Sequence, residues 1–354
     1  MPRTRSQSAP EILPEPRIDD IVPAAALPLG EVELIGAHLG PFSFGQSAVL
    51  PAVLVDGHPA HVSMSRPTRL ALRVPEGAST GLIEVRNPAG ASNAAPLRVA
   101  HQLSEGLHPV TSPAVSRSGM IYATISGPRG KQTPVSIVRV SPDGRGTPFV
   151  TGILNATGLA FNPDGDLFVT SRAEGNVYRV DASGESNVYA EGMGVATGAA
   201  FDAEGNLFVG DRSGTIFKIA RDRQIFVFAT LEPSVSAYHI AFGPHGDMFV
   251  TAPSTGFDCV YKVDPHGTVS VFYGGLGRPQ GLALDVEGNV YVAASLAGQR
   301  GIVKITPQGK ANLEVAGQGL VGLAFAPGKS AILATNSAVH HISWNIQGLP
   351  LPPE

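Results

Sequence analysis

Two adjacent residues, Tyr238 and His239, and one further along, Gln280, are the positions of this 354-residue chain best suited to chemistry. An imidazole titrates near neutrality and can carry a proton to or from a reacting centre. The phenol of Tyr238 and the carboxamide of Gln280 are further candidates for the same chemistry. A second set, Arg172, Asp211, Arg212, Asp258, Arg278 and Arg300, suits ligand binding. Arg172 ends the segment LFVTSR and Arg212 the segment LFVGDR, so the two hold equivalent places. Paired guanidinium groups fit an oxyanion. Against these readings stands a plainer one: Tyr238 and His239 fill space in a core, and the charged residues are solvated turns. Other chemistry has no signature. The one GxSxG match, GASTG at 77–81, has no helix after it and so is no nucleophile elbow, and the other glycines fall at turns with no helix start to receive a phosphate.

These residues sit inside a repeat. TGLAFNPDGDLFVTS begins at Thr157, TGAAFDAEGNLFVGD at Thr197, YHIAFGPHGDMFVTA at Tyr238, QGLALDVEGNVYVAA at Gln280 and VGLAFAPGKSAILAT at Val321. A weaker copy, TSPAVSRSGMIYAT, begins at Thr111. The starts are 46, 40, 41, 42 and 41 residues apart, and each repeat has room for four short strands. Units of that length and content predict a β-propeller, here with six blades. The first strand of each repeat belongs at the axis, and the Asp-Gly, Glu-Gly and His-Gly pairs turn the chain into the second.

Aligned this way, two rings of residues open the inner strands. The first is Thr111, Thr157, Thr197, Tyr238, Gln280 and Val321; the second is Ser112, Gly158, Gly198, His239, Gly281 and Gly322. Neither contains a carboxylate, and His239 stands where four of the other repeats have glycine. The last repeat has only three strands of its own. Residues 97–103, LRVAHQL, are therefore expected to supply its outer strand and close the ring, which would remove an exposed sheet edge.

Ahead of the propeller, residues 17–100 read as short alternating strands bounded by Gly, Pro and Asn, the pattern of a small immunoglobulin-like β-sandwich. Residues 1–16 read as a flexible Pro-rich lead, residues 101–348 as the propeller and 349–354 as a tail. The lead has no apolar segment after its arginines and so does not read as a secretory signal, which leans towards a cytoplasmic protein. Charged residues are only 15% of the chain and net charge is −4, with no basic cluster to meet nucleic acid. No apolar run reaches membrane-spanning length. The single cysteine, Cys259, excludes an intrachain disulfide and reads as a buried strand residue. Oligomeric state has no signature here.

Two family resemblances follow from these residues. Pro23, Gly30, Ile35-Gly36, residues 53–57, Ala60, the segment VPEGASTG at 74–81 and Val85 together resemble the IPT/TIG family of immunoglobulin-like domains, which implies a spacer or binding platform. The repeats, above all GRPQGLALDVEGNVYVAAS at 277–295, resemble NHL and SMP-30/gluconolactonase-like propellers. That second resemblance implies, for the lactonase-like members, one divalent cation (calcium, zinc, manganese or magnesium) on the axis, held by a Glu, two Asn and an Asp. Here the leading Glu is replaced by Thr111, and the NGL-type segment reads Thr157-Gly158-Leu159. Streptogramin-cleaving lyases of similar type place a His with a metal near the axis, the role His239 would take. The expectation is therefore a non-catalytic binding or scaffold protein that offers its propeller face to a protein or a small polar or glycan ligand, without a cofactor. The alternative is a divergent lactonase-like hydrolase or lyase using the axial site and a divalent cation.

Overall fold

A computed structural model describes residues 14–44, 47–253 and 258–352. Most of the expected lead, residues 1–13, and the last two residues of the tail lie outside these. The described residues are all-β, with no helix among them and hence none long and apolar enough to cross a membrane. The chain divides into two compact units, Met1–Val99 and Ala100–Glu354.

In the first unit, Arg17–Val22, Glu31–Ala37, Arg69–Arg73 and His61–Arg66 form one antiparallel sheet. A second joins Ala52–Val55, Gly81–Asn87 and Ala95–Val99. Alternate residues turn inward, as the period of a strand requires. Val32 and Leu34 are buried from one sheet, and Val53, Val55, Ile83, Val85 and Leu97 from the other.

The second unit is a β-propeller built of four-stranded antiparallel meanders. Sheet I runs Ala114–Val115, Ile121–Thr124, Ile137–Val140, Gly146–Val150. Sheet II runs Ala156–Phe161, Leu167–Ser171, Asn176–Val180, Ser186–Ala190. Sheet III runs Ala196–Phe201, Leu207–Asp211, Thr215–Ile219, Ile225–Thr230. Sheet IV runs His239–Phe242, Met248–Ala252, Cys259–Val263, Val269–Gly274. Sheet V runs Leu282–Leu284, Val290–Leu296, Gln299–Ile305, Ala311–Ala316. Sheet VI takes Leu320–Ala326, Ser330–Thr335 and Ala338–Ser343 from the end of the chain. Its outer strand is His101–Glu105, which pairs antiparallel with Ala338–Ser343. The closing strand thus starts later than residues 97–103 suggest. Leu97 and Val99 are buried within the first unit, so the chain is free to join the propeller only from His101 onward. Each sheet's first strand packs on the first strand of the next, and those of sheets VI and I meet, so the ring is closed.

Two sequence features explain how the sheets stack. In four of the six sheets an aromatic residue of the second strand wedges edge-on against an aromatic residue of the following first strand: Tyr122 on Phe161, Phe168 on Phe201, Phe208 on Phe242 and Tyr291 on Phe325. Edge-to-face contact is the favoured geometry for such pairs. The Gly of each turn pair takes a positive φ, +97° at Gly165 and +81° at Gly205, which glycine adopts at no steric cost.

Candidate functional site

The two aligned rings meet at the propeller axis, where most of their polar groups serve the fold. Thr111 donates its hydroxyl to the Thr157 carbonyl at 2.7 Å, and Thr170 donates to the Thr197 carbonyl. The Thr197 hydroxyl accepts the Tyr238 N–H at 3.0 Å, and Thr251 donates to the Gln280 carbonyl at 2.5 Å. The Gly281 N–H reaches the Val321 carbonyl at 2.9 Å. These bonds stitch each sheet to the next. Glycine fills the second ring because the neighbouring backbone is so close: a Cβ on Gly158 would lie 2.2 Å from the Thr197 carbonyl oxygen, and one on Gly198 2.3 Å from that of Tyr238.

His239 breaks that rule and projects to the axis. It lines a cavity of about 40 Å³ together with Thr111, Ser112, Gly158, Gly198 and Leu282. The ring is 5% exposed, and burial pushes its pKa down to about 4, so it is neutral at physiological pH. Its Nε2 and the Ser112 hydroxyl are both buried without a partner. The cavity has room for ordered water. It does not fit the divalent cation that the lactonase-like resemblance implies. Its polar groups are hydroxyls and one imidazole, all neutral, whereas hard cations need converging and largely anionic oxygens. No cluster of three His, Cys, Asp or Glu able to hold a metal exists among the described residues.

The other two candidates for chemistry turn away from this cavity. Tyr238 is fully buried and donates its hydroxyl to the Glu232 carbonyl; burial, with the fields of Asp211 and Glu232, pushes the phenol up to about 12. Gln280 offers Oε1 to Arg300 at 2.6 Å. The sequence set Tyr238, His239 and Gln280 is therefore not brought together by its side chains.

The charged candidates cluster on the face where the turns between second and third strands meet the loops leading into the first. Arg300 donates to the carbonyls of Leu320 at 2.6 Å, Arg278 at 2.9 Å and Gly277 at 3.3 Å, besides Gln280. Burial, followed by the field of Arg278, lowers its pKa. Arg278 itself is exposed, and its N–H donates to Asp258 at 2.8 Å. Asp258, Arg278, Arg300 and Gln280 thus form one network between sheets IV and V. Asp211 is 7% exposed and is consumed locally, accepting the Val195 N–H at 2.7 Å and the Ser213 hydroxyl. Arg172 and Arg212 stand on adjacent sheets and form no ion pair among the described residues. Arg129 joins them electrostatically, since its charge, like that of Arg212, bears on Arg172. The sequence offers no motif for Arg129, which lies in the irregular stretch between Thr124 and Ile137 of the weakest repeat. Cys259 is 2% exposed, and burial raises its thiol pKa, which suits an inert strand residue.

No family model and no curated protein matches the sequence. Solved structures do. A candidate gluconolactonase shares a TM-score of 0.59 at 19% identity over 71% of this chain and 93% of its own. A gluconolactonase from Xanthomonas campestris gives 0.57 at 13% identity over 71% and 88%. An auxiliary nutrient binding protein from Bacteroides thetaiotaomicron gives 0.56 at 13% identity over 94% of this chain and 98% of its own. At these identities the likeness establishes the fold alone, the β-propeller that this chain shares with gluconolactonase-like structures.

Proposed function

We propose that this chain is a non-catalytic binding protein. In this reading a six-bladed propeller of NHL/SMP-30 type presents its loop face to a polar ligand, and the N-terminal unit is an IPT/TIG-like, immunoglobulin-like domain. One observation carries the reading: the axial cavity is lined by neutral groups, while arginines with no ion pair among the described residues stand on the adjoining loops. A shallow face with a few convergent polar groups suits ligand capture. The similarity to an auxiliary nutrient binding protein along nearly the whole of both chains is in keeping with it. The test is a panel of lactones incubated with purified protein and each of calcium, zinc, manganese and magnesium, run beside a glycan and protein binding screen. Binding without turnover supports the proposal. Metal-dependent hydrolysis contradicts it.

A second reading, a divergent hydrolase or lyase, has one observation in its favour. The unpartnered His239 Nε2 and Ser112 Oγ face the same axial cavity. Under that reading His239→Ala abolishes whatever turnover the panel reveals.

A further inference from the structure

The chemistry of the ligand can be taken further, on the binding-face reading given above. Arg129, Arg172 and Arg212 stand on the connections between second and third strands of sheets I, II and III, three in succession. The connection carrying Arg129 is pinned across to sheet II by Asn155, which is 2% exposed. Asn155 donates to the carbonyls of Gly127 at 3.0 Å and Pro128 at 3.1 Å, and accepts the Gly130 N–H at 2.8 Å. Arg172 donates to the same Gly127 carbonyl at 3.4 Å, so the loop of sheet I and the guanidinium of sheet II share one patch. Arg212 is fixed by a bond to the Val235 carbonyl at 3.0 Å.

None of the three arginines has an ion pair among the described residues, and the Nε of both Arg172 and Arg212 is shut away from solvent without a partner. The two carboxylates next to these arginines in the sequence are hydrogen-bonded elsewhere: Asp211 as described, and Glu174 by the Tyr178 hydroxyl at 2.9 Å. Burial, then Arg212, then Arg129 push the Arg172 pKa down, as expected of like charges held together without a counter-charge. Buried donors are normally paired, so these two Nε groups ask for a partner that an ion, a ligand group or a water can supply.

We propose that Arg129, Arg172 and Arg212 form a site for a tetrahedral oxyanion, a phosphoryl or sulfuryl group borne by a small polar ligand. A guanidinium on each of three successive sheets would supply a donor to each of three oxygens of such a group, whereas a carboxylate offers two.

The experiment titrates the whole protein with inorganic phosphate, sulfate, acetate and chloride at fixed ionic strength, read by calorimetry and thermal unfolding. It includes Arg129→Gln, at an exposed side chain, and Arg212→Gln. Saturable binding of phosphate or sulfate, weakened about tenfold or more in each variant, is expected; which anion binds tighter identifies the group. An absent response overturns the inference. So does an equal response in wild type and variants, which would reflect the general action of these salts on hydration. Neutral glycans that bind wild type and Arg129→Gln alike would keep the binding face and remove the oxyanion assignment; no binding by any probe would remove both.

Discussion

Arg300 holds Gln280 by a 2.6 Å bond, and the same NH2 group reaches the Leu320 carbonyl of the next sheet at 2.6 Å. The one carboxamide of the first axial ring is therefore a strut between sheets V and VI. Arg300→Ala should lose about 2–3 kcal/mol, since the part-buried Gln280 Oε1 and Leu320 carbonyl both lose a charged donor. Arg300→Lys should restore little of it, because a point charge cannot span acceptors that a planar fork reaches. Gln280→Ala should cost about 1 kcal/mol. Urea unfolding of the three variants measures this, and an Arg300→Ala loss below that of Gln280→Ala would refute the assignment.

The axial glycines make a sharper contrast. Gly158→Ala would drive a Cβ to 2.2 Å from the Thr197 carbonyl oxygen, with backbone on the far side that cannot yield. It should cost about 3 kcal/mol or more. Gly246→Ala meets nothing within 4 Å and is strained only through its φ of +82°, about 1–2 kcal/mol. Thermal melts of the pair should place Gly158→Ala well below Gly246→Ala; the reverse order would mean that the inner strands are not packed as described.

Acid should weaken the fold through two histidines. Burial pushes both His239 and His340 down to about 4, below the 6.5 of an unfolded chain. Between those limits the unfolded chain binds protons that the folded one excludes. The stabilising contribution is therefore complete above pH 6.5 and is lost as pH falls towards 4. Each histidine contributes a slope of up to about 1.4 kcal/mol per pH unit across that window. His340 lies on the strand that the closing segment covers, and the neighbouring His341 ring lies 5.1 Å from His101. Denaturation at pH 7.5, 5.5 and 4.5 should show a shallower slope in His239→Gln and in His340→Gln. An unchanged slope in both would show that neither ring is protonated on unfolding.

Ring closure can be tested by trimming. A variant starting at residue 100 keeps His101–Glu105, and one starting at residue 107 loses it and bares the edge of Ala338–Ser343. An unpaired edge strand invites association. Size-exclusion chromatography should find the shorter variant aggregated or strongly destabilised relative to the longer, and equal behaviour would show that the strand is dispensable.

Much of this architecture was legible in the sequence because it repeats. The turn pairs recur in place, and they have a direct structural cause in glycine's positive φ. The closing strand was legible only in outline: strand pattern marks 97–103 as extended but cannot show that Leu97 and Val99 are buried in the first unit. The site was harder to read, because side-chain direction is not written in strand period alone. Gln280 and Tyr238 share a ring position with the threonines, yet one side chain turns to Arg300 and the other into the core. Arg129 lies in an irregular connection and becomes part of the face only through Asn155, a bond between repeats that no single repeat displays.

The most direct test of the neutral axis is a thermal-unfolding series on chelator-treated protein, adding calcium, zinc, manganese and magnesium in turn, with His239→Ala alongside. The account predicts no saturable rise in unfolding temperature with any of the four. A stoichiometric, saturable rise that disappears in His239→Ala would contradict it and place a metal centre at the axis.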